Sequence, residues 1–68
     1  MARRYKRATD AAESVLKRAK YLEFAELYPK SMEAFEGNVT PAKLSDMLHR
    51  DGRFGKTGTG RWKLEKRP

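Results

Sequence analysis

The chain has 68 residues, 16 Lys and Arg against 9 Asp and Glu, a net charge of +7, a pI near 10.1 and no cysteine. A disulfide framework and a thiolate zinc site are therefore excluded, and one histidine cannot build a metal cage. The length suits one small domain, and no apolar run approaches the roughly 18 residues that a membrane span needs.

The charge is unevenly spread. Residues 1–20 carry a net +5, residues 21–36 a net −3 and residues 37–68 a net +5. Two basic poles flanking an acidic middle point to an anionic polymer as partner, with no cofactor, metal, membrane or small-molecule substrate expected. The expected setting is cytoplasmic or nucleoid-associated.

Residues 1–8, MARRYKRA, lack periodicity and read as a basic flexible arm carrying Arg3, Arg4, Lys6 and Arg7. The remainder, 9–68, reads as a single domain. Thr9 or Asp10 starts a first helix, with Glu13 at the capping-box spacing from Asp10. Val15, Leu16, Ala19 and Leu22, then Tyr21, Phe24, Ala25 and Tyr28, recur at helical spacing and predict a helix over 10–27 that Pro29 stops. Ser31 is expected to cap a short second helix, Met32 to Glu36, ended by Gly37 and Asn38. Thr40 followed by Pro41 marks the start of a third helix, with Leu44, Met47 and Leu48 facing the core and Gly52 closing it.

After Gly52 the apolar period changes from 3.6 to 2. Phe54 starts one short strand, and Arg61-Trp62-Lys63-Leu64-Glu65 alternates out and in. Between them, GKTGTG reads as a hairpin tip. The Gly55-Lys56-Thr57 triplet imitates a phosphate loop, but that motif requires glycine where Arg50 stands. It also requires a strand before it and a helix after it, whereas this run follows a helix and precedes a strand. Nucleotide hydrolysis is set aside.

The predicted fold class is small α+β: three helices followed by a two-stranded β-hairpin, the layout of a winged helix-turn-helix. "LSDMLHRDGRFGKTGTGRWKL" resembles the end of the HARE-type helix-turn-helix domain and of the N-terminal domain of the bacterial RNA polymerase delta subunit. The matching positions are Asp51, Gly52, Arg53, Phe54, Trp62 and Leu64, within about 20 of the 68 residues. The resemblance implies the wing architecture and, with it, contacts to RNA polymerase or to another protein of a nucleic-acid complex.

Phe54, Trp62 and Leu64 are expected to form the inner face of the hairpin, closing over Leu44 and Leu48. Ser45, Asp46 and His49 share an exposed helix face without an oxyanion hole or a water-excluding pocket, so no enzyme is expected. Serine and histidine there suit base-edge recognition instead. Lys43, Arg50, Arg53, Lys56, Arg61 and Lys63, with Thr57 and Thr59 at the tip, form the expected nucleic-acid surface. About five phosphate contacts would make log K fall with log salt at a slope of about −4.5. Tyr21, Phe24, Glu26 and Tyr28 form the expected face for a protein partner. The reading is a non-enzymatic, regulatory protein that binds double-stranded DNA. The alternative is a protein-interaction module that modulates RNA polymerase or another nucleic-acid machine, and structured RNA is a third target suggested by charge alone.

Overall fold

The computed structural model describes residues 4–65, and the expected arm residue Arg3 lies outside them. Helix α1 spans Ala8–Ala19, α2 Phe24–Ala34 and α3 Pro41–Arg50; strands β1, Phe54–Lys56, and β2, Trp62–Leu64, follow. Ala8, Ala11, Ala12, Val15 and Leu16 recur at three and four residues, which puts them on one stripe of α1. The three alanines are fully buried, and their small side chains suit the close packing of α1 on α2.

The long first helix expected over 10–27 is two helices. α1 stops at Lys20, whose φ of 69° and ψ of −57° are those of a γ-turn. The Tyr21 amide closes that turn on the Ala19 carbonyl at 2.7 Å. Ala19 and Ala25, counted on the apolar stripe from sequence, are exposed. Of the short helix expected over Met32–Glu36, only Met32–Ala34 are helical, as the end of α2; Phe35 is its extended C-cap, Ser31 lies inside α2 and caps nothing, and Pro29 lies inside that helix instead of ending it. Proline there removes only the amide that would reach the Ala25 carbonyl, on an exposed flank. The opposite side buries Leu27 and Ser31, with Phe24, Tyr28, Met32 and Phe35 packed on the core. Tertiary burial outweighs the lost hydrogen bond.

α3 begins as its sequence predicts: Thr40 Oγ1 accepts from the Lys43 amide at 3.2 Å, with Pro41 in the first turn. It ends at Asp51 with ordinary negative φ, and among the described glycines only Gly60 has positive φ, 85°, at the hairpin tip. β1 and β2 pair antiparallel in the register Phe54↔Leu64, Gly55↔Lys63, Lys56↔Trp62. Leu22 adds a one-residue third strand: its amide and carbonyl both bond to Trp62, at 3.1 and 2.8 Å. The order across the sheet is thus Leu22, β2, β1.

Leu16, Leu27, Leu44, Leu48, Phe54 and Trp62 close one core between the helices and the inner face of this sheet. Each fully buried leucine there is worth about 1.5–3 kcal/mol of transfer free energy. Helix, bridging strand, two further helices and a hairpin make a small α+β fold with the layout of a winged helix-turn-helix.

The basic segment expected as a flexible arm is anchored at Tyr5. The Tyr5 amide donates to Ala34 O at 2.7 Å and its carbonyl accepts from the Glu36 amide at 3.0 Å. Arg4, Lys6 and Arg7 are exposed beside this anchor.

Candidate nucleic-acid interface

Lys43, Asp46, His49 and Arg50 lie on the exposed surface of α3, while Ser45 is half-buried. Asp46 and Arg50 form an i,i+4 ion pair at 3.2 Å; with Arg50 80% exposed it adds little stability and leaves the guanidinium open to solvent. His49 Nδ1 lies 2.8 Å from the Ser45 carbonyl oxygen. A carbonyl only accepts, so Nδ1 carries a hydrogen, and in the neutral ring Nε2 is the acceptor. The imidazole also meets the Trp62 indole edge-on, with ring centroids 5.1 Å apart. Two contacts thus fix its direction.

Lys56 faces Trp62 across the hairpin, and residues paired across strands share a face. Its Nζ stands 5.2 Å from the indole centroid in a cation–π contact. The buried indole therefore carries His49 of α3 on one flank and the Lys56 ammonium on another. This contact makes the end of α3 and the wing one continuous surface.

Strand alternation separates the remaining wing cations. Arg61 and Lys63 flank Trp62 in the chain and so project from the outer face of the sheet, away from α3. The six cations grouped from sequence thus do not all share one side.

Arg53 leaves the group altogether. Its Nε and Nη2 donate to Asp51 Oδ1 and Oδ2 at 3.0 and 2.9 Å, and its Nη1 donates to Asp10 at 3.1 Å and Glu13 at 2.9 Å. Hydrogen bonding to Arg53 holds the Asp51 carboxyl below its usual range, and bonding to Asp51 raises Arg53 further above an ordinary arginine. With three carboxylates on it, this guanidinium clasps the root of the wing to α1, and its charge is compensated where it stands.

Thr57 is also a structural residue. Its Oγ1 lies 3.1 Å from the Arg61 amide, 3.3 Å from the Thr59 amide and 2.9 Å from the Thr59 hydroxyl. The tip is closed by Thr57 N–H to Arg61 O at 2.8 Å and Gly60 N–H to Thr57 O at 3.0 Å. Thr59 and Lys56 remain exposed there.

The expected protein-partner face is only half available. Tyr28 donates its hydroxyl to the Val39 carbonyl at 2.6 Å and packs against Phe24, both rings lying on the core. Tyr21, 53% exposed, and Glu26 stay at the surface. Among the described residues no group of three or more ligating side chains is placed to hold a metal, and no helix is long and apolar enough to cross a membrane. No protein-family model matches the chain, and no curated protein or solved structure matches it at a significant level.

Proposed function

We propose that this chain is a non-enzymatic, regulatory winged-helix protein that binds duplex DNA, α3 lying along the major groove and the wing along the neighbouring backbone. The observation that supports it most is the shared indole. His49 and Lys56 sit against the same Trp62, so a groove-reading helix and a phosphate-meeting hairpin form one rigid surface. Lys43, Arg50 and Lys56 supply phosphate contacts, while the fixed His49 ring presents Nε2 for base recognition. The anchored Arg4, Lys6 and Arg7 supply further charge. With Arg53 withdrawn and Arg61 and Lys63 on the outer face, about three phosphate contacts remain on the α3 side, and log K should fall with log salt at a slope of about −2.7 before any contribution from the N-terminal cations.

Charge reversal tests this reading: Lys56→Glu and Lys43→Glu should weaken binding to every duplex, whereas His49→Ala should alter sequence preference. Unchanged affinity after both reversals refutes it. A protein-interaction role within a transcription complex, as in the delta-like domains that residues 44–64 resemble, draws support from Tyr21, the large apolar side chain left exposed at the surface. Absence of any retention of random duplex at low salt favours that second reading.

A further inference from the structure

Arg61 differs from the other wing cations in its surroundings. The Leu22–Trp62 bridge exchanges hydrogen bonds in both directions, which sets the register of the neighbouring residues. Glu23 then falls opposite Arg61, and both point to the outer face of the sheet. Arg61, Tyr21, Glu23 and Glu26 line one open cleft of about 300 Å³. Glu23 is the N-cap of α2, yet its carboxylate caps nothing, and Glu26 lies in the first turn. Neither glutamate forms an ion pair within 4 Å among the described residues. Local folding leaves both carboxylates free to act on the cleft.

We infer that Glu23 and Glu26 mask Arg61, making phosphate recognition one-sided and confining it to the face shared by α3 and Lys56. An arginine beside the positive end of α2 would otherwise be an attractive phosphate seat. Two carboxylates in that seat cancel its field and repel the ligand. Screening limits the effect to charges within about 10 Å at 0.1 M salt, so acidic residues farther along α2 contribute little at Arg61. The two glutamates are positioning residues, and the inference rests on the duplex-binding reading, to which it adds a silent wing cation and the reason for its silence.

The test is fluorescence anisotropy of the full chain with a random-sequence duplex, across a salt series. Lys56→Gln should weaken binding severalfold, whereas Arg61→Gln should change it less than twofold. Glu23→Gln with Glu26→Gln should tighten binding by about twofold to fivefold, the scale of exposed charge pairs. The salt slope should steepen by about 0.9, the increment for one added phosphate. Adding Arg61→Gln to that pair should abolish both changes. An equal gain from Glu33→Gln with Glu36→Gln, which changes net charge identically, overturns the inference, as does a gain that survives Arg61→Gln. If Lys56→Gln weakens binding but the glutamate pair has no effect, masking fails and the duplex reading stands. If no chain binds duplex, wild type included, both fail. All substituted side chains are exposed, and melting by circular dichroism verifies that each variant is folded.

Discussion

Replacing Arg53 with methionine probes the contact that joins the wing to the helices. Methionine keeps most of the aliphatic stem while removing a guanidinium that makes four side-chain hydrogen bonds to three carboxylates, at 2.9–3.1 Å. The Arg53 side chain is 37% exposed, so each pair is scaled as a solvated one, below about 1 kcal/mol, with the bidentate Asp51 pair the strongest. The net loss is then about 1–2 kcal/mol, which for a domain of this size lowers the melting temperature by roughly 5–15 °C. The turn itself should survive, because the residue-53 amide still donates to Asp51 Oδ1.

The pH dependence supplies a second reading of the same variant. Asp51 titrates in the folded protein below its ordinary value of 3.8 because Arg53 bonds to it. Its contribution is therefore fully present above that value and is lost as pH falls through the lower folded value. Melts followed by circular dichroism at low salt should show a wild-type advantage near pH 7 that shrinks at about pH 2.5. An advantage equal at both pH values, or none at neutral pH, refutes the clasp.

Three further substitutions test the helices. Lys20→Gly should relieve the positive-φ turn that ends α1 and raise stability by about 1 kcal/mol, read as a higher denaturant midpoint; a lower midpoint contradicts the strain. Ser31 is fully buried and its hydroxyl has no partner among the described residues, so Ser31→Ala should stabilise by about 1 kcal/mol; a loss in urea unfolding would mean that the hydroxyl is satisfied. Thr40→Ala removes the α3 cap and should cost about 1 kcal/mol by the same assay, with no change counting against the observed cap.

The C-terminal half was legible because its signals are local. Thr40-Pro41 announces a helix start, and the change of period after Gly52 announces the hairpin that buries Phe54 and Trp62. The first half misled for an equally physical reason. The chain reverses at Lys20 without glycine or proline, and the proline that is present, Pro29, is absorbed on an exposed flank of α2. Arg53 looked like a free cation because its partners Asp10 and Glu13 lie 43 and 40 residues away and meet it only in the fold. Likewise Arg61 and Lys63 read as neighbours of Lys56 until the register assigned both to the face opposite Lys56.

The most direct test of the proposed duplex-binding surface is a titration of isotope-labelled protein with duplex DNA, following every backbone amide. The account predicts shifts concentrated at residues 43–50 and around Lys56 and the hairpin tip, with Tyr21 and Glu23 on the outer face largely unmoved. Shifts centred on that outer face and absent from α3 would contradict it.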